Sequence, residues 1–221
     1  MTRVVGIIQA RMGSTRLPGK ALAEVAGQPL LAIMIERVQR AGTLDAVWVA
    51  TTDNERDDPI ADLALTSGAG VFRGSEVDVL ARYAGAAEAA RAEVIVRLTS
   101  DCPLLDPAVI DRVVGELDGY ELATNAPPVG RTYPDGMDVE ALTREALNRA
   151  HREATVPEDR EHVTRHLHSG GFSVRAVHLD RDLGDVRVTV DTADDFELVA
   201  WLLKTLPPGF TLDEVMRSLG R

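Results

Sequence analysis

The sequence predicts an α/β fold: a single domain over residues 1–221, with a mostly parallel sheet and helices on both faces. Three observations predict it. Short runs rich in Val and Ile alternate with helix-length amphipathic segments along the chain, the pattern of strands joined through crossover helices. Apolar residues make up 45% of the chain and charged residues 27%, enough to bury a core and too few charges for wholesale disorder. Polar segments recur after residues 8, 50, 98 and 190, and in such sheets the loops beyond the carboxyl ends of the strands hold ligands.

Val4-Val5-Gly6-Ile7-Ile8 is an apolar run suited to a buried strand. Pro29 opens a helix with Leu30, Leu31, Ile33, Met34, Ile35 and Val38 apolar, closed by Gly42. A second strand covers 47–50 and ends at Thr51-Thr52-Asp53-Asn54. A helix over 60–65 stops at Gly68, and Val71-Phe72 makes a short strand. An alanine-rich helix spans 77–91, a strand 94–98, and Pro107 opens the next helix. The second half is less regular. It offers a strand at 122–124, a Pro/Gly-rich loop over 127–136, and a run at 139–142 leading into a helix that carries Leu147. A helix over 162–168, ended by Gly170-Gly171, would place His162 and His166 on one face. Strands at 174–178 and 186–190 and amphipathic segments at 196–203 and 212–219 complete the chain.

Lys and Arg number 24 against 35 Asp and Glu, a formal net charge of -11. A surface that acidic repels polyphosphate unless its cations are gathered in one place, which argues against a general nucleic-acid binder. No apolar run approaches the roughly 18 residues of a membrane span. The amino terminus turns polar at Gln9 and Arg11, too early for a signal-peptide core. Cys102 is the single cysteine, so an internal disulfide and a Cys-based zinc site are both excluded. The expectation is a soluble cytoplasmic protein with no nucleic-acid or membrane partner.

The cations gather after the first strand. Gln9-Ala10-Arg11-Met12-Gly13-Ser14-Thr15-Arg16-Leu17-Pro18-Gly19-Lys20 puts three cations and two hydroxyl residues in one short turn. Gly13 lets backbone approach a ligand, Ser14 and Thr15 supply donors, and Arg11, Arg16 and Lys20 could neutralise a triphosphate. The turn is not a P-loop. Five residues, not the motif's four, separate Gly13 from Gly19-Lys20, and Ala21 stands where the magnesium hydroxyl belongs. Gly13 and Gly19 do not form a dinucleotide-binding fingerprint either.

The stretch from Ile7 through Lys20 resembles the amino-terminal signature of the sugar-acid cytidylyltransferases. These are the CMP-Kdo and CMP-acylneuraminate synthetases and, closest to this chain, the spore-coat polysaccharide type. The likeness continues through Gly74-Ser75-Glu76-Val77-Asp78-Val79-Leu80-Ala81-Arg82-Tyr83 and Val96-Arg97-Leu98-Thr99-Ser100-Asp101-Cys102-Pro103-Leu104. It resumes at Asp135-Gly136-Met137-Asp138-Val139-Glu140, Arg160-Glu161-His162-Val163-Thr164 and Val190-Asp191-Thr192-Ala193-Asp194-Asp195. The resemblance implies a nucleotide-diphospho-sugar transferase-like fold and a homodimer. It implies an enzyme that joins CTP to an acidic sugar, forming a CMP-sugar and pyrophosphate for surface polysaccharide. It implies nucleotide contacts from Ala10, Arg11, Gly13, Ser14, Thr15, Arg16 and Lys20, with Gly74 and Ser75 nearby. Arg11, Lys20 and Asp101 would be catalytic, Asp101 and Asp191 would hold Mg2+, and Asp135, Glu161 and His162 would face the acceptor. Acylneuraminate synthetases carry a further acid two residues before the second aspartate, where this chain has Thr189.

The residues themselves leave plainer roles open. Asp101 and Asp191 each follow a strand, and two such carboxylates can converge on a hard cation. They could equally cap the turn before Pro103 and the helix near Ala193. Arg97, inside an apolar strand, needs an anionic partner, either a substrate carboxylate or a protein acid. Asp78 and Arg82 are spaced for a surface ion pair, and Asp135 and Asp138 could form an ordinary acidic turn. His162 and His166 find no cysteine and no third ligand by spacing, and Cys102 reads as packing. Arg149 reads as an exposed bystander. The rival functions are a transferase using a phosphonate, a polyol phosphate or another nucleotide, and a nucleotide-binding regulator without turnover.

Overall fold

β1 (Val4–Gln9) runs through the middle of the sheet in the computed structural model, which describes residues 2–221. A small hairpin of β2 (Glu24–Val25) and β3 (Gln28–Pro29) follows it and leads into α1 (Leu30–Val38). β4 (Ala46–Thr52) pairs in parallel with β1, α2 (Asp58–Thr66) crosses back, and β5 (Gly70–Gly74) extends the sheet in parallel. α3 (Val79–Ala89) then returns the chain to β6 (Val94–Thr99), parallel to β1 on its other side. α4 (Pro107–Gly115) precedes β7 (Leu122–Thr124), and β8 (Glu140–Thr143) inserts antiparallel between β6 and β7. After α5 (Arg144–Glu153), α6 (Pro157–Glu161) and α7 (Arg165–Ser169), β9 (Val174–Ala176) joins the edge in parallel with β7. α8 (Ala193–Thr205) and α9 (Leu212–Ser218) close the chain.

The sheet order is β5-β4-β1-β6-β8-β7-β9, and β8 alone opposes the rest. The chain leaves β1 toward β4 and later returns to β6, so the connections diverge beyond the carboxyl end of β1, where such sheets open a ligand crevice. Alternate residues of each strand feed two cores, as the pleat requires. Ile8, Val49, Val96 and Leu98 pack with α1, α4, α8 and α9 on one face. Val5, Ile7 and Ile95 pack with α3 and α5 on the other. Tyr83 of α3, fully buried, donates its hydroxyl to the carbonyls of Leu98 at 2.9 Å and Ile7 at 3.2 Å. Helices therefore cover both faces, as the sequence predicts.

Three local expectations fail for identifiable reasons. Residues 186–190 form no strand. They alternate between two neighbours, Val188 N–H donating to Asp135 and Val190 N–H to Asp101, so only the isolated bridge Asp135–Arg187 results. Residues 162–168 are not one helix, because Val163, fully buried, takes φ 51° between α6 and α7. His162 and His166 consequently do not share a helix face. Asp78 does not pair with Arg82; it caps α3 by accepting from Ala81 N–H and binds Arg160.

Gly136 sits beside the Asp135–Arg187 bridge at φ 109°, and a Cβ there would lie 2.7 Å from the backbone of Val188 and Thr189. Neither the conformation nor the backbone collision can be relieved by rotating a side chain. Gly136→Ala is expected to cost about 1–3 kcal/mol of stability, read as a lowered midpoint in urea unfolding; an unchanged midpoint contradicts this packing.

Candidate active site

The turn after β1 is held by its own backbone. Met12 C=O accepts from Ser14 N–H at 2.9 Å and Gly19 N–H at 3.1 Å, closing the loop on itself. Met12 N–H donates at 2.7 Å to Asp57, a carboxylate with no solvent exposure that Thr52 Oγ1 also binds. No motif in the sequence singles out Asp57. Its signal is the polar Thr51-Thr52-Asp53-Asn54 end of β4, which delivers it beneath the loop. Gly19, at φ 73°, reverses the chain so that Lys20 begins a short 3-10 helix, Lys20–Leu22.

Lys20 then points into the crevice. Its ammonium donates to Asp191 Oδ1 at 2.9 Å, to Asp101 Oδ2 at 3.2 Å and to the Val190 carbonyl at 2.7 Å. The two aspartates, ninety residues apart in sequence, thus converge on one cation. Arg16 reaches Asp191 Oδ1 at 3.1 Å from the solvent side. Arg187 binds the other oxygen, Asp191 Oδ2, at 2.7 Å, and also grips Asp195 and Asp135. Burial alone would raise the Asp191 carboxyl, but hydrogen bonds from Lys20 and Arg187 outweigh it and hold it below the ordinary value. Asp191 is not a helix cap. Thr192 caps α8, accepting from Asp195 N–H in a reciprocal capping box.

A cavity of about 320 Å³ opens over this cluster. Ala10, Arg11, Ser14, Thr15, Arg16, Lys20, Arg97, Asp101, Glu161, His162 and Asp191 all line it, so strands β1 and β6, the β1 loop, α6 and residue 191 meet there. Gly13, Gly74, Ser75 and Asp135 do not. Gly13 faces Arg56 and Glu76, whose side chains lie 2.8 and 3.1 Å from the position of an added Cβ. Ser75 braces the turn before α3, its hydroxyl accepting from Asp78 N–H. Asp135 is spent on Arg187 and Arg131. These four support neighbouring segments rather than the cavity wall.

Arg97 has a protein partner after all: Glu140, 3% exposed, at the start of β8. Burial pulls the Arg97 guanidinium down, yet the Glu140 carboxylate more than restores it. Of the two partners the sequence left open for Arg97, a substrate carboxylate or a protein acid, the protein acid is the one present, although Arg97 still borders the cavity. Arg82 is the converse. It is 2% exposed, lines the cavity, and forms no salt bridge among the described residues, donating only to Ser75 C=O at 2.7 Å. Burial lowers its affinity for its proton, so an incoming anion would find an arginine with no carboxylate to displace. Asp78, one turn away and spaced to pair with it, binds Arg160 instead. Arg149 is no bystander, for it donates to Gly170 C=O at 3.0 Å and lies 4.0 Å over the Phe172 ring.

The arrangement is that of a polyanion site: a cationic loop over two carboxylates that share a positive charge. A family model described as cytidylyltransferase matches residues 5–202. The chain belongs to the cytidylyltransferase family. It is 32% identical over 236 residues to the spore coat polysaccharide biosynthesis protein SpsF of Bacillus subtilis (strain 168), covering 100% of this chain and 95% of that one. It is 41% identical over 132 residues to the 3-deoxy-manno-octulosonate cytidylyltransferase of Anaeromyxobacter dehalogenans (strain 2CP-C), a match spanning 58% of this chain and 53% of that enzyme. A solved cytidylyltransferase from Leptospira borgpetersenii superposes with a TM-score of 0.93 at 33% identity, over 100% of this chain and 94% of that one. This cytidylyltransferase is accordingly a CTP-dependent nucleotidyltransferase with the α/β fold read from its sequence.

Cys102 adjoins Asp101 but takes no part in such chemistry. Burial and then the Asp101 carboxylate push its thiol well above the ordinary value, the opposite of an activated thiolate. In the native enzyme at pH 8, iodoacetamide is expected to leave Cys102 unmodified, with stoichiometric labelling after denaturation in urea. Rapid native labelling, followed by mass spectrometry, would show the thiol to be activated instead.

Proposed function

We propose that this cytidylyltransferase transfers CMP from CTP to a hydroxyl of an acidic sugar, releasing pyrophosphate and a CMP-sugar for surface polysaccharide. One observation carries the reading: Arg11, Arg16, Lys20 and Arg82 surround the same cavity whose floor holds Asp101 and Asp191. In a chain of net charge -11, that is where a triphosphate would be tolerated. Arg11, Ser14, Thr15 and Arg16 bind the phosphates from the loop, and Arg82 binds from beneath. The acceptor hydroxyl gives its proton to water, its oxygen attacks the α-phosphorus, the bond from that phosphorus to the α,β-bridging oxygen breaks, and pyrophosphate leaves with the electron pair. Catalysis is then mainly orientation and charge neutralisation.

Asp101 Oδ2, Asp191 Oδ1 and the Val190 carbonyl surround a single cationic point, an all-oxygen set that suits a hard divalent ion. Asp101 and Asp191 would hold Mg2+, which would supply charge neutralisation on the nucleotide oxygens. Among the described residues no group of three or more His, Cys, Asp or Glu side chains is placed to bind a metal alone. The remaining ligands would therefore come from the phosphates and water.

The acceptor enters from a second cavity of about 510 Å³ that shares Arg97 and His162 with the first. Arg165, paired with Asp159, and His168 line it and would meet the acid group of the sugar; His162 borders both cavities, and Glu161 faces the first. We place the enzyme in the cytoplasm as a homodimer. No helix among the described residues is long and apolar enough to cross a membrane.

Pyrophosphate release is the decisive assay. With CTP, Mg2+ and a panel of keto-acid sugars, one acceptor should yield a CMP-sugar by mass spectrometry. Lys20→Ala and Asp101→Asn should each lower kcat/KM by about a hundredfold or more, while Arg152→Ala, exposed on α5, should stay within about twofold. A preference for GTP or ATP overturns the cytidylyl reading. Turnover only with a phosphonate or polyol phosphate overturns the acceptor class, and CTP binding with no product across the panel identifies a regulator.

A further inference from the structure

An ammonium group has three hydrogens to donate, and Lys20 has committed all three, to Asp101, Asp191 and Val190. Its side chain is only 12% exposed. In this state Lys20 has no donor left for a phosphate, and the oxygens a divalent ion would need already surround a cation. Lysine and metal cannot occupy that point together.

The two aspartates differ in how they would survive the loss of Lys20. Asp191 keeps Arg16 on its inner oxygen, Oδ1, and Arg187 on its outer oxygen, and Arg187 is tied further to Asp195 and Asp135. Asp101 has no other salt bridge among the described residues; its remaining side-chain neighbour is the Cys102 thiol at 3.5 Å. Withdrawing the ammonium leaves Asp101 uncompensated in a partly buried site, which is costly unless another cation arrives.

We propose that Lys20 is the resident cation of the nucleotide-free enzyme, positioning Asp101 and Asp191, and that a divalent ion takes its place only when nucleotide phosphates draw the ammonium away. The inference rests on the reading of Asp101 and Asp191 as cation ligands. Metal without nucleotide meets a filled point, and nucleotide without metal strips Asp101 of its counterion. Each ligand therefore strengthens the other, and the coupling is reciprocal. The lysine also keeps two carboxylates facing one another in the absence of either ligand, so the site is assembled before it is loaded.

Manganese binding to the protein without nucleotide, followed by the electron spin resonance of free Mn2+, tests this directly. Lys20→Met should bind Mn2+ at least about tenfold tighter than the unaltered enzyme, because a charge at contact distance has been removed. Lys20→Arg, which keeps the charge, should remain weak. Arg187→Gln removes an equal charge from the outer oxygen but leaves the ammonium in place, so it should tighten Mn2+ much less than Lys20→Met. Adding α,β-methylene-CTP should tighten Mn2+ binding in the unaltered enzyme and less so in Lys20→Met. Lys20→Gln serves if thermal unfolding shows the methionine variant misfolded.

Equal Mn2+ affinity in Lys20→Met and the unaltered enzyme overturns the inference, as does equal tightening in Arg187→Gln, which would reduce the effect to overall charge. The underlying reading fails separately: Asp101→Asn would then leave Mn2+ binding in the presence of the analogue unchanged.

Discussion

Three parts of the chain meet at the Lys20 ammonium: the loop after β1, the turn after β6 that carries Asp101, and the segment entering α8 that carries Asp191. Two carboxylates this close would repel in a partly buried crevice, and the cation between them is what allows the crevice to close. The rest of the site follows. Arg187 fixes the outer oxygen of Asp191, Thr189 Oγ1 donates to Asp101 C=O at 2.9 Å, and Val190 N–H donates to the same carbonyl at 2.8 Å. The segment at 186–190 is thereby sewn to the Asp101 turn without being a strand. Thr189, where related synthetases carry an acid, is used here as a stitch.

The order of strands and helices was legible in the first half because its longer buried strands are short Val/Ile runs and because prolines at 29, 59 and 107 mark helix starts. Pro107 opens α4 where composition places it, whereas α3 and α8 start at caps the sequence did not single out, Asp78 and Thr192. What was not legible depended on partners distant in sequence. The run at 186–190 has strand composition, but its hydrogen bonds divide between two loops. Val163 has helix-compatible neighbours on both sides, yet burying its side chain takes it to positive φ. Neither fact is local.

The site divides in the same way. Arg11, Ser14, Thr15, Arg16 and Lys20 were readable because one loop carries them all at the end of one strand. Asp101 and Asp191 were readable as strand-end acids able to converge on a cation, but that the Lys20 ammonium is the cation they meet is a property of the topology. Arg82 and Arg97 were both left open by the sequence and resolve in opposite directions. Spacing offered Arg82 a partner in Asp78, which bonds elsewhere, whereas the partner of Arg97 lies on an antiparallel strand that pairs beside it, Arg97 opposite Glu140. Arg187, which organises three aspartates, sits in an unremarkable stretch of sequence.

Arg187 also has a bearing on how such an enzyme changes over generations. It joins the hairpin-like loop at 127–136 to the carboxylate that faces Lys20 through Asp135. Transplanting that loop from a relative with different cargo would bring along whatever residue stands at 135. If the newcomer were neutral, the guanidinium would redistribute over two acids rather than three. A change at 135 is therefore transmitted, through two successive ion pairs, to the carboxylate beside Lys20.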